Sequence, residues 1–329
     1  MRAAVCLRYG PPEVVQIADV ARPEPGDGEV VIRAGAATVD IADARVRALR
    51  VPRGFGPLVR LQFGITKLRQ PILGLVVAGW VEDVGSAVTG VRPGDRVVGT
   101  RGFSYGCHAE YVAVTEGNVA AIPDELTERD AAALCFGGAT AVHFLREGRL
   151  TDGETILVNG ASGAVGTMAV QLAKRAGAEV TAVCSGGNAD LVRRLGADHV
   201  IDHTREDFRQ NGRRYDVIMD NHGSAPSRRV RGSLAPDGRV LMVVGDLGSM
   251  VAGAVQKRVV GGSAPLNGDV FREVMILAGG RVLQPVVDSV LPFEQIVEAH
   301  RRVDSGHKVG SVVLTFDAAG TDADPDPAR

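Results

Sequence analysis

The run Thr155-Ile156-Leu157-Val158-Asn159 reads as a strand and leads into Gly160-Ala161-Ser162-Gly163-Ala164-Val165-Gly166. Val165, Met168, Ala169, Leu172, Ala173 and Ala176 then recur at helical spacing until Gly177, a C-terminal stop for that helix. Strand, glycine loop and helix in that order present free backbone N–H groups at a helix N-terminus, where a pyrophosphate can bind. Ala161 stands at the first glycine place of G-x-G-x-x-G. Gly163 allows close approach of a phosphate and Gly166 close packing of helix on strand. A tight turn without a ligand is the plainer reading of the loop alone, but a second strand at the right distance, Glu179–Ser185, favours a dinucleotide. That strand ends in Ser185-Gly186-Gly187-Asn188, with no carboxylate for the ribose hydroxyls. Ser185 can donate to a 2′-phosphate, so NADP(H) is favoured over NAD(H), although Gly187 supplies no cation.

Other chemistry-bearing residues are scattered. Tyr105, in Arg101-Gly102-Phe103-Ser104-Tyr105-Gly106-Cys107-His108, is a candidate proton donor; a surface loop aromatic is the alternative. Cys107 and His108 imitate a metal pair but lack further ligands at suitable spacing. His222, in Asp220-Asn221-His222-Gly223, follows a strand and borders a nucleotide site or faces solvent. The segment 45–69 carries Arg45, Arg47, Arg50, Arg53, Arg60, Lys67 and Arg69 and no acid. A solvated face is its simplest reading; a lid, an anion-attracting surface or a membrane contact are the others.

The elements that must position these groups fall into three stretches. Residues 1–122 read as β-rich and turn-rich, with strands at Val30–Arg33, Val76–Gly85 and after Pro93-Gly94-Asp95. Residues 123–285 alternate helix and strand, with Thr127-Glu128-Arg129-Asp130 as a capping box and further strands at His199–Asp202, Tyr215–Asp220 and Arg239–Gly245. That alternation predicts a parallel, doubly wound α/β sheet. Residues 286–317 return to the first pattern, with a short helix at Pro292–His300 and a strand at Gly310–Phe316. Residues 318–329 are small, acidic and proline-bearing and read as a disordered tail.

Composition narrows the classes. The chain has 329 residues, 45% of them hydrophobic, so it can bury a large core. Its net charge of −2 leaves no basic footprint for nucleic acid. Cys6, Cys107, Cys135 and Cys184 form no C-x-x-C pair, which argues against a disulfide framework and fits a reducing, cytoplasmic setting. The longest charge-free apolar run, Ala131–Leu145, is short for a membrane span, and the N-terminus has no signal-peptide pattern.

The stretch from Val158 to Phe208, VNGASGAVGTMAVQLAKRAGAEV and then CSGGNADLVRRLGADHVIDHTREDF, resembles the zinc-independent branch of the medium-chain dehydrogenase/reductases, specifically its quinone oxidoreductase-like and alkenal reductase-like members. Tyr9-Gly10-Pro11-Pro12-Glu13-Val14, Arg92-Pro93-Gly94-Asp95-Arg96-Val97 and His108-Ala109-Glu110-Tyr111 extend the resemblance over nearly the whole chain. It implies a Rossmann domain inserted in a GroES-like β-barrel domain made from both chain ends, an enone, activated alkene or quinone as small-molecule substrate, and a homodimer. It places Thr140 and Gly245 near the nicotinamide, Ser162, Gly163, Ala164 and Val165 along the pyrophosphate, and Asn188, His203 and Asn221 around the rest of the nucleotide. Asp40 matches a position facing cofactor and substrate, where it can accept from the ribose or, if buried, donate a proton. Asp43 suits a structural helix cap.

The chain also departs from that family. Zinc-dependent members carry Gly-His-Glu where this chain has Gly74-Leu75-Val76, so no catalytic metal is expected. Cations usual at the Gly187, Val309 and Ser311 places are missing, and His203 replaces a tyrosine. A nucleotide-binding protein without redox turnover, acting as a sensor, partner-binding module or recruited scaffold, is the alternative to a reductase.

Overall fold

The computed structural model describes residues 1–50, 56–65, 68–244 and 258–316. The sequence-predicted tail, Gly245, Arg53 and Lys67 lie outside the described residues. The chain begins with β1 (Arg2–Cys6) paired antiparallel to β2 (Val15–Asp19). It continues through β3 (Glu29–Val39), α1 (Ile41–Ala48), α2 (Gly56–Phe63), β4 (Val77–Val84), β5 (Arg96–Gly99), β6 (Tyr111–Thr115) and β7 (Val119–Ala121). Next come α3 (Glu128–Glu147), β8 (Thr155–Asn159), α4 (Ala164–Arg175), β9 (Glu179–Cys184), α5 (Ala189–Arg194), β10 (His199–Asp202) and β11 (Tyr215–Asp220). The described elements end with β12 (Leu234–Met242), β13 (Val259–Gly261), α6 (Gly268–Gly279), β14 (Val287–Pro292), α7 (Ile296–Asp304) and β15 (Ser311–Thr315).

Two sheets organise the chain. The first has the order β10-β9-β8-β11-β12-β13 and is parallel throughout. Its central strands are buried on both faces, Ile156, Leu157 and Val158 on β8 and Val217, Ile218 and Met219 on β11. The strand order reverses between β8 and β11, the place where open α/β sheets bind ligands beyond the strands' carboxyl ends. The second sheet runs β14-β15-β3-β4-β5-β7, with β6 also on β3. β3 touches β4, β6 and β15, and most residues along it are buried as a result.

α3 joins the sheets. Thr127 accepts from the Asp130 N–H and the Asp130 carboxylate accepts from the Thr127 N–H, closing the capping box expected from the sequence. A Cβ on Gly137 would stand 2.3 Å from the Ala164 carbonyl oxygen, so only glycine lets α3 lie this close to the start of α4. The Ser311 hydroxyl donates to the Ala133 carbonyl at 2.9 Å and ties β15 to the same helix.

Three expectations need correction. β12 starts at Leu234, not Arg239, because Tyr215 pairs with Leu234 and the register then shifts before Val217 meets Arg239. The Pro236-Asp237-Gly238 turn signal hid that irregular strand. β14 was not anticipated; it pairs parallel with β15 and precedes the final helix, which runs Ile296–Asp304 behind a 3-10 turn at Phe293–Gln295. The basic segment is not a uniformly solvated face. Arg47 is fully buried and pairs with Asp304 at 2.5 Å, an acid 257 residues away that no local pattern shows.

Candidate active site

The glycine loop is held by its own backbone. The Gly160 and Ala161 N–H groups donate to the Val183 carbonyl at 3.1 and 3.0 Å, lashing the loop to β9. Gly160 turns the chain with φ +75, so the left-handed glycine stands one place ahead of Ala161. Gly163 is the N-cap of α4, and the Thr167 N–H donates to its carbonyl at 2.9 Å. The two later glycines differ in kind. A Cβ on Gly166 would sit 2.2 Å from the Gly160 carbonyl oxygen, so its smallness serves the packing of α4 on the loop. A Cβ on Gly163 would meet only that same oxygen, at an ordinary 3.6 Å, so no protein atom requires glycine there. Open space over a helix N-terminus fits a phosphate group.

Most of the sequence-predicted nucleotide residues gather around this loop. Asn188 donates to the Ser162 hydroxyl at 3.1 Å. Ser185 lies 3.2 Å from the His203 Nε2, beyond the ends of β9 and β10. Nothing stands within 4 Å of where a Gly187 Cβ would be. Asp220 accepts from the His222, Gly223 and Ala225 N–H groups and from the Asn159 amide, which pins the turn after β11. That turn presents Asn221, whose amide N and O are both buried with no partner among the described residues. Such atoms are costly to leave unpaired, and they fit a polar ligand at the switch point. His222 is exposed, as its plainer reading has it. Ala164 and Val165 open α4, and Thr140 donates to the Phe136 carbonyl within α3.

The second sheet supplies a wall of different character. The Gly310 N–H donates to the Ser162 carbonyl at 2.8 Å, and a bridge links Gly163 with Gly310. The approach to β15 is thereby docked on the glycine loop. Lys308, half-buried, donates to the Gly310 carbonyl at 2.6 Å. Burial lowers its pKa, opposed by Asp40 and Asp288. Register brings β3 alongside, with Val313 opposite Thr38 and Val312 opposite Val39.

Asp40 follows as the N-cap of α1 and is 1% exposed. Its Oδ2 accepts from the Thr38 hydroxyl at 2.7 Å, while Oδ1 has no partner among the described residues. Asp43, one turn along, accepts from the Asp40 N–H at 2.8 Å and from the Gly74 N–H at 2.9 Å, a structural cap as its spacing implied. The two carboxyls titrate together at about 6 and about 7, raised first by burial and, for Asp40, next by the charge of Asp43. The higher value belongs to Asp43, whose burial outweighs its backbone donors, and the pair gives up its protons only as pH approaches neutrality.

Tyr105 is not a surface aromatic. It is 2% exposed, with φ +56 and its ring edge-on to Phe63 at 5.5 Å. Burial and then the Asp43 and Asp40 charges drive its phenol far up, so it stays protonated. His108, beneath Thr38, faces the Thr38 carbonyl through Nε2 at 2.8 Å, which makes that nitrogen the donor and leaves Nδ1 bare. Burial pushes its pKa down to about 4.

A zinc ion does not fit this wall. Leu75 and Val76 are fully buried and apolar, and among the described residues no three His, Cys, Asp or Glu side chains cluster as ligands. Sequence reasoning missed Thr38 and Lys308. No motif marks Thr38, whereas Lys308 lies one residue before a place where a cation was sought.

Comparison with known proteins supports the same architecture. Residues 26–124 match the family described as alcohol dehydrogenase GroES-like domain, and residues 195–314 the family described as zinc-binding dehydrogenase. The chain is 31% identical to the 2-methylene-furan-3-one reductase of Solanum lycopersicum, over 95% of this chain and 79% of that one. It is 30% identical, with the same coverages, to an NADPH-dependent alkenal/one oxidoreductase of Arabidopsis thaliana. The solved structure of a quinone oxidoreductase from Coxiella burnetii superposes with a TM-score of 0.86 at 27% identity, covering 96% of this chain and 99% of that one.

Proposed function

Because the chain belongs to the medium-chain dehydrogenase/reductase superfamily, we propose that it is a zinc-independent, NADP(H)-preferring reductase of an enone, activated alkene or quinone. The observation that carries this reading is the docking of Gly310 on Ser162, which brings the sheet bearing the buried Asp40 against the glycine loop. The relatives compared above are named as reductases or oxidoreductases, which gives a non-redox role no support.

The groups present fit a nicotinamide dinucleotide. Ser162, Gly163, Ala164 and Val165 would hold the pyrophosphate, Asn221 and Thr140 the nicotinamide side, and Ser185, Asn188 and His203 the adenosine end. When bound, the reduced nicotinamide supplies a hydride. The chain's own work is to orient the substrate, exclude water and deliver a proton. Asp40 holds that proton at Oδ1, the oxygen that nothing else engages, and gives it to the atom left electron-rich after reduction. Thr38 fixes the carboxyl through Oδ2, and burial together with the nearby Asp43 carboxyl raises its pKa toward neutrality. Tyr105 packs beside the pair as a neutral donor able to polarise a carbonyl.

The NADP preference rests on Ser185 and His203 standing where a ribose carboxylate would be. We also infer a cytoplasmic homodimer. The four cysteines are all buried and unpaired, as suits a reducing compartment, and no helix among the described residues is long and apolar enough to cross a membrane.

Asp40→Asn tests the acid. With an enone, kcat should fall about a hundredfold or more, while the Kd for NADPH, followed by nicotinamide fluorescence, stays within twofold to threefold, about the scatter of such a change. Unchanged turnover removes Asp40 from the chemistry, and failure of the wild type to bind either NADPH or NADH rejects the enzyme reading.

A further inference from the structure

Around His108, which bonds the Thr38 carbonyl two residues before Asp40, lies a group of buried polar side chains that substrate binding leaves unexplained. Arg47 on α1, His300 on α7 and His108 are each 0% or 1% exposed. Arg47 spends one nitrogen on Asp304, and its Nε and Nη1 have no partner among the described residues. Both ring nitrogens of His300 and the Nδ1 of His108 are likewise unpartnered. The His108 and His300 rings meet edge to face at 6.1 Å. Asp304, one turn beyond His300 on α7, has a side chain 20% exposed and reaches solvent.

Asp304 pairs with Arg47, the Arg47 charge acts on His300, His300 meets His108, and His108 holds Thr38, which is joined to Asp40 by a 2.7 Å hydrogen bond. Five buried nitrogens without partners in one place are not a packing solution. A core that wanted only packing would place apolar groups there, because unsatisfied polar atoms destabilise it. Internal waters bridging such atoms make two to four hydrogen bonds each and can conduct protons.

We propose that His300 relays protons from solvent near Asp304 to Asp40, with Arg47 and His108 as positioning residues that hold the bridging waters. The proposal rests on Asp40 being the acid. After Asp40 has given its proton to substrate, breaking its O–H bond, its carboxylate takes a proton from a bridging water. That water is reprotonated from one His300 ring nitrogen, and the other nitrogen accepts a proton from the water on the Asp304 side. Bulk water supplies the net proton, and no group in the path changes oxidation state. The path is needed because Asp40 is sealed from solvent, and ligands seated over it seal it further.

His300→Leu and His300→Gln test the relay. Both should lower kcat about tenfold or more, leave KM and the NADPH Kd near wild type, and raise the solvent deuterium isotope effect on kcat. Gln keeps hydrogen bonding but cannot pass a proton through a ring, so a merely structural histidine would be rescued by it. Folded His300→Gln with wild-type kcat and isotope effect overturns the relay, whether or not His300→Leu folds. Asp40→Asn measured in parallel separates the premise from the proposal. Intact turnover there overturns the acid and the relay together, whereas a slow Asp40→Asn beside a wild-type-like His300→Gln overturns the relay alone.

Discussion

The wall formed by β8, β9 and α4 meets its ligand with backbone, small residues and open space, whereas the wall formed by β3, α1 and residues 105–108 presents buried side chains in a chain of hydrogen bonds. The first wall depends on what is absent. Gly166 has no side chain because the Gly160 carbonyl occupies its place, and Gly163 has none although the protein leaves room. The second wall depends on what is enclosed, since Asp40, Asp43, Tyr105 and His108 owe their protonation states to burial and to one another. Backbone amides bind a fixed anion without titrating, while a proton donor must hold and release its proton near working pH.

This contrast can be broken most forcefully at Gly166. Gly166→Val drives a side chain into backbone and should destabilise the fold by about 3 kcal/mol and abolish nucleotide binding, as read by denaturant titration and fluorescence. A stable variant that still binds NADPH would show that the loop is not set by this contact.

The pH response sharpens the other wall. The folded-state pKa values of Asp40 and Asp43 are raised, so their stabilising contribution is complete below the unfolded-state values near 4 and is lost as pH rises through 6 to 7. Stability to urea should therefore decline over that interval, and kcat should decline with it as the acid form of Asp40 is titrated away. Asp40→Asn should flatten part of the stability slope, and a kcat profile level from pH 5 to pH 8 would contradict a titrating acid.

The smallest effect is expected at Gly187, where space is open. Gly187→Arg should tighten NADPH by about fivefold, one surface ion pair's worth, and leave NADH and stability unchanged. Equal tightening of both nucleotides would move the adenosine phosphate elsewhere.

Much of the first wall was legible in the sequence. β8, β10 and β11 have the bounds expected, β9 ends one residue early at Cys184, and Gly177 terminates α4 at φ +83. A strand, a glycine turn and a helix are local patterns, set by periodicity and by residues adjacent in the chain. The cap role of Asp43 was legible for the same reason, because N-cap and N3 are three residues apart. The second wall was read only in part. Asp40 was found through resemblance, and Tyr105 was left open between loop surface and interior because its burial depends on Phe63 and the two aspartates around it.

The sequence by itself determined the doubly wound sheet, the glycine loop and the absence of a Gly-His-Glu metal motif, since each is written within a few dozen consecutive residues. Only the tertiary structure decided that Arg47 is interior, that Lys308 sits beside the glycine loop and that His108 meets His300. Those placements follow from pairing β3 with β15 and packing α1 against α7, which join the chain's two ends. Burial is a property of what packs from far along the chain, and burial is what turns these ordinary polar residues into a candidate proton path.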